Sequence, residues 1–95
     1  MFESIEEIQR RIAPLLREHG VVRAGIFGSY ARGTALPSSD VDVVVEFEGG
    51  RTLLDLVSLR RDLVDVLGGE ADVVTYKSLH PRFRDRILSE QVPVL

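Results

Sequence analysis

A chain of 95 residues with a formal net charge of -3 has room for one domain and one core, so residues 1–95 are expected to form a single domain. It holds no cysteine and only two histidines, His19 and His80, which excludes a disulfide scaffold and a thiolate zinc site and argues against a histidine-rich metal centre. Twelve basic against fifteen acidic residues argue against a protein built to grip nucleic acid; no apolar run reaches the ~18 residues of a membrane span, and the acidic start, Met1 to Glu7, is unlike a secretion signal, so the cytoplasm is the expected compartment.

The pattern then alternates between helix and strand signals with short joints, which favours an α/β or α+β domain. Ser4 and Glu7 have capping-box spacing. Ile5, Ile8, Ile12, Leu15 and Leu16 recur at helical spacing up to Gly20. Pro14 is expected to kink or end this helix early, because it lacks a donor and clashes with the carbonyl four residues back. Val21 to Phe27 is a short β-branched strand, broken by Gly28. Ser29 to Gly33 is a turn or a helix start, and Thr34 to Ser39 a loop.

From residue 40, Val41, Val43, Val45 and Phe47 alternate with Asp40, Asp42, Val44 and Glu46. That is a strand with one apolar face and another that opens on two carboxylates. Thr52 and Asp55 mark a second helix start. Leu53, Leu56, Val57, Val64 and Leu67 share its apolar face, widened by Leu59 and Leu63, and Gly68-Gly69 closes it. Ala71 to Thr75 is a third strand, carrying Asp72. Pro81 suits the first position of a last helix with Phe83, Ile87 and Leu88 as its apolar face. Val92 to Leu95 reads as a short edge strand, the place where Pro93 is tolerated.

Chemistry concentrates on Asp40, Asp42 and Asp72. Asp40 and Asp42 are two apart, so in a strand they share a face with Cα atoms about 6.5–7 Å apart. Such carboxylates can share a divalent cation, and magnesium suits few carboxylates together with water and phosphate oxygens. Upstream, Gly28-Ser29-Tyr30-Ala31-Arg32-Gly33 runs from strand to helix start, where free backbone N–H groups bind phosphate. Arg32 can contact phosphate or brace the loop through a carboxylate. Lys77, Arg82, Arg84 and Arg86 make a basic cluster that reads first as a solvated helix face. His19 reads as a helix-end residue and His80, before Pro81, as a helix-entry residue.

Gly28-Ser29, ten residues, then Asp40-Val41-Asp42 resembles the signature of the DNA polymerase β-like nucleotidyltransferases. The string GSYARGTALPSSDVDVVV is similar to their minimal nucleotidyltransferase (MNT) branch, and the stretch Gly69 to Thr75 resembles the strand that supplies a third carboxylate. The resemblance covers nearly the whole chain. It implies an α+β, polymerase β palm-like fold: a small mixed sheet flanked by helices. It implies Asp40, Asp42 and Asp72 as catalytic residues and magnesium ligands, with two Mg2+ ions and ATP as substrate. Gly28, Ser29 and Arg32 would bind the nucleotide's phosphates. The implied role is that of the antitoxin in HEPN/MNT toxin–antitoxin pairs: a protein adenylyltransferase that moves AMP to a tyrosine hydroxyl of a small helical HEPN toxin. The alternative is a non-catalytic nucleotide-binding module that neutralises the partner by binding alone.

Overall fold

The computed structural model describes residues 4–95; Met1, Phe2 and Glu3 of the acidic start lie outside them. Four helices and four strands follow in the order α1 (Ile5–Glu18), β1 (Val21–Phe27), α2 (Ser29–Arg32), β2 (Val41–Phe47), α3 (Leu53–Leu67), β3 (Ala71–Thr75), α4 (Pro81–Glu90) and β4 (Val92–Pro93), with a 3-10 turn at Tyr76–Ser78 before α4. The strands form one mixed sheet in the order β3-β2-β1-β4. β1 runs antiparallel to both β2 and β4, and β2 runs parallel to β3. This is the α+β arrangement that the resemblance implies. No helix among the described residues is long and apolar enough to cross a membrane.

One sheet face is the core. Ile8, Ile12 and Leu16 of α1 and Leu59, Leu63 and Leu67 of α3 pack with Ala24, Ile26, Val41, Val43, Val45 and Ala71. Each spacing is that of its element: four residues along the helices, two along the strands. A fully buried side chain of this size contributes about 1.5–3 kcal/mol. An irregularity in the ladder between Val21 and Arg23 resets the alternation. Val21 therefore joins the core while Val22 and Arg23 face outwards, as an extra residue in one strand allows.

The helix ends follow the expected chemistry. Ser4 Oγ accepts from the Glu7 N–H at 3.2 Å, and the Thr52 N–H donates to Asp55 Oδ2 at 2.6 Å. His80 Nδ1 accepts from the Arg82 N–H at 3.1 Å. His19 caps the end of α1, and its Nε2 lies 2.8 Å from Asp62 Oδ2, tying α1 to α3.

Three expectations are corrected. Pro14 does not end α1, which runs on to Glu18: the proline is exposed, and the stripe Ile8, Ile12 and Leu16 holds the helix on both sides of it. In α3, Leu53 and Val57 are 73% and 60% exposed. They occupy a neighbouring row, displaced around the helix from the Leu59, Leu63 and Leu67 row that meets the sheet. Phe83 of α4 is also exposed, with the Arg82 guanidinium 5.8 Å from its ring.

Candidate active site

The second sheet face carries the polar side chains. Asp42 of β2 pairs in register with Asp72 of β3, and on its other side with Phe27 of β1. Neighbouring strands lie about 4.8 Å apart, and paired residues point the same way. Two carboxylates, thirty residues apart in sequence, therefore stand side by side. Asp40 lies immediately before β2 rather than within it, and is exposed.

These groups feel one another. The Asp42 carboxyl is pushed up from 3.8 to about 6, first by burial and then by the negative charges of Asp72 and Asp40. Arg32 pulls the other way, and Glu90 adds a smaller upward push. A half-buried carboxylate beside two like charges is short of positive charge, the condition that a bound cation relieves. Among the described residues no three ligating side chains converge into a ready-made shell. The set instead fits magnesium, which takes one or two carboxylates and fills its octahedron with water and phosphate oxygens.

The turn after β1 is built against these carboxylates. Gly28 has φ +76°, a left-handed conformation that disfavours side chains. A Cβ at this position would also run into Asp42 Oδ2. Glycine is thus required twice: for the backbone turn and for the close approach of the Asp42 carboxylate. Ser29 opens α2, so its N–H lies in the first turn of the helix, where no intrahelical acceptor exists. Gly33 ends α2 in the left-handed conformation.

Arg32 braces the turn through a carboxylate. Its Nη1 donates to Glu90 Oε1 at 3.0 Å, and the same oxygen accepts from the Gly28 N–H at 2.9 Å. Glu90 is a member of this cluster that local sequence reading passes over. It ends α4, sixty-two residues from Gly28, and only the antiparallel pairing of Gly25 with Pro93 and Ile26 with Val92 carries it to Gly28. The available signal was the edge strand Val92 to Leu95, had its neighbour been known to be β1.

The middle of this face is closed. Gln91 lies over Gly25, where a Cβ would collide with its side chain, and accepts from the Tyr76 hydroxyl at 2.7 Å. Arg23 lies over the Tyr76 ring at 4.2 Å. Beneath them Val44, on the same face as Asp42 and the register partner of Gly25, is fully buried. A concavity of about 400 Å3 lies at the far ends of β2 and β3, lined by Val45 to Arg51 and Thr75 to Lys77. Asp40, Asp42 and Asp72 do not line it; of these three, Asp40 and Asp72 are exposed and Asp42 is half-buried.

This geometry has counterparts. The model of the nucleotidyltransferase domain family matches residues 7–94. A provisionally assigned protein adenylyltransferase of Methanocaldococcus jannaschii is 56% identical over 92 residues, covering 97% of this chain and 99% of that protein. The protein adenylyltransferase MntA of Thermococcus cleftensis is 41% identical over 93 residues, covering 97% and 94%. A solved structure described provisionally as a minimal nucleotidyltransferase superposes with a TM-score of 0.83 at 42% identity, covering 94% of this chain and 91% of that one. One chain from a complex of a tri-AMPylated Shewanella oneidensis HEPN toxin with its MNT antitoxin superposes with a TM-score of 0.74, covering 95% and 71%; at 18% identity that likeness is one of fold. With the match running from Glu7 to Val94 and spanning every element that builds the carboxylate face, the chain belongs to the nucleotidyltransferase domain family.

Proposed function

We propose that residues 1–95 act as one minimal, magnesium-dependent protein adenylyltransferase of the cytoplasm. It moves AMP from ATP to a tyrosine hydroxyl of a helical HEPN toxin and so acts as its antitoxin. The observation that carries the reading is the in-register pair of Asp42 and Asp72, with Asp42 packed against Gly28 of the turn. The names of its relatives supply the substrate class: protein adenylyltransferases, and an MNT antitoxin found with an AMPylated HEPN toxin.

In this reading Asp40, Asp42 and Asp72 hold magnesium, which supplies positive charge against the triphosphate. The N–H of Ser29 and its hydroxyl receive phosphate oxygens at the start of α2. The acceptor oxygen attacks the α-phosphorus, the bond from that phosphorus to the bridging β-phosphate oxygen breaks, and pyrophosphate leaves. Asp72, exposed beside Asp42, orients the acceptor hydroxyl and takes its proton. Asp40 and Asp72 are exposed, which leaves them within reach of a protein acceptor.

The test is incubation of the partner with ATP, magnesium and this protein. A gain of ~329 Da per transferred AMP unit is expected, the mass following from its formula. Asp42→Asn is expected to lower the transfer rate by ~10²–10³-fold, because removing an electrostatic element of such a site costs about that much, while far-UV circular dichroism is unchanged. Transfer at the wild-type rate by this variant would sink the assignment. Full neutralisation of the partner by a variant lacking both Asp40 and Asp42 carboxylates would favour a module that works by binding alone.

A further inference from the structure

Gly28 is held from both sides by carboxylates. Asp42 Oδ2 lies against its Cα, where a Cβ would collide, and Glu90 Oε1 accepts its N–H at 2.9 Å. The Glu90 side chain is only 15% exposed. Its position follows from the chain order: β4 pairs with the end of β1 directly after α4, which brings the last residue of that helix to the Gly28 turn. Arg32, one turn along α2, spends its Nη1 on this same Glu90 oxygen at 3.0 Å. Arg86 reaches the other oxygen at 3.9 Å.

Arg32 has a second potential partner. The Glu90 oxygen it binds sits on the Gly28 N–H, and Asp42 Oδ2 lies against the same glycine, so the turn places both carboxylates beside the Arg32 side chain. A guanidinium pairs well with a carboxylate, often through two parallel hydrogen bonds. If it settled on Asp42, it would occupy the oxygens that a divalent cation needs. Glu90 is the group that holds it elsewhere.

We propose that Glu90 is a positioning residue which, by binding the Arg32 guanidinium at the Gly28 turn, keeps Arg32 off Asp42 and leaves the Asp42 carboxylate free for a divalent cation. The inference rests on the reading of Asp40, Asp42 and Asp72 as the cation-binding set. It differs from a merely architectural role, in which Glu90 would only cap the Gly28 N–H. Capping alone makes no use of the charge on Glu90, and the loss of a cap is not repaired by removing Arg32 as well.

Binding of Mn2+ alone to the full-length chain, followed by the electron paramagnetic resonance signal of the free ion, separates these roles without relying on activity. Glu90→Ala is expected to weaken Mn2+ binding by about tenfold, the scale of coupling between groups in direct contact. Glu90→Gln keeps an acceptor for the Gly28 N–H but loses the ion pair, and is expected to weaken binding nearly as much. The double variant Glu90→Ala with Arg32→Ala is expected to bind within about threefold of Arg32→Ala alone, because the loss of Glu90 costs little once the competing cation is gone. A double variant no better than Glu90→Ala, or a Glu90→Ala protein that binds Mn2+ like wild type, overturns the proposal. Should Glu90→Ala fail to fold, Glu90→Gln alone decides, and binding equal to wild type overturns it. An Asp42→Asn control that binds Mn2+ as well as wild type removes the cation site itself, an outcome distinct from failure of the double-variant rescue.

Discussion

Asp42 is where the fold accepts instability. It is the half-buried carboxyl among like charges, and its ordinary value of 3.8 is pushed up to about 6. The folded state therefore prefers it protonated. The stability that preference contributes is complete below the unfolded value and is lost as pH rises through about 6. Without divalent cations, the melting temperature of Asp42→Asn should match that of wild type near pH 4 and exceed it by a few degrees near pH 7. A gap that stays constant across that window would show that Asp42 titrates as an ordinary carboxyl. The neighbouring glycine makes the same point sterically, since Gly28 leaves just enough space for the Asp42 oxygen. Destabilised groups gathered at one place are characteristic of a site rather than of a core.

At the level of elements, α1 shows how tertiary packing overrides local propensity. A proline inside a helix costs about 3 kcal/mol, yet α1 continues through Pro14 to Glu18 because Ile8, Ile12 and Leu16 are all fully buried. Pro14 itself is exposed, so Pro14→Ala restores a backbone donor without opening a cavity. Urea denaturation should show it about 1–3 kcal/mol more stable than wild type, the proline penalty less the entropy that the ring removes from the unfolded chain. An unchanged midpoint would mean that the helix has already absorbed the missing bond. The helix α3 teaches a different lesson. Its leucines and valines are so many that periodicity alone allows several faces. Contact with the sheet selects Leu59, Leu63 and Leu67 and leaves Leu53, Leu54 and Val57 in solvent.

The whole molecule divides its work between the two faces of one sheet. The face towards α1 and α3 is apolar and closed, while the other carries Asp42 and Asp72. The period of two along β2 decides which residue does which, and a pair of substitutions reads it out. Val43 is fully buried against the helices, and Val43→Asp should lose more than ~4 kcal/mol by placing an unpaired charge in the core. That is a large part of the ~5–15 kcal/mol that holds a small domain together. Asp72 is exposed, and Asp72→Asn should cost no stability and raise it slightly, because a like charge beside Asp42 is removed. Thermal melts followed by circular dichroism check both. A cooperative melt of Val43→Asp at the wild-type temperature would contradict this assignment of faces.

The elements, their caps and the carboxylates were legible in the sequence because they rest on local rules. Alternation placed Val41, Val43 and Val45 on one face and Asp42 on the other, and Ser4, Thr52 and His80 announced helix starts. Spacing likewise set Asp40 and Asp42 together downstream of Gly28-Ser29, while Asp72 stood out as a strand aspartate that the resemblance joined to them. What no local rule contains is pairing between distant segments. That Asp72 lies beside Asp42 depends on the parallel register of β3 on β2. That Arg32 answers to Glu90 depends on β4 returning along β1. A sequence sets which residues can form an element and which way they point; the ladder that joins distant strands decides which of them meet, and in this molecule that ladder assembles the carboxylate site.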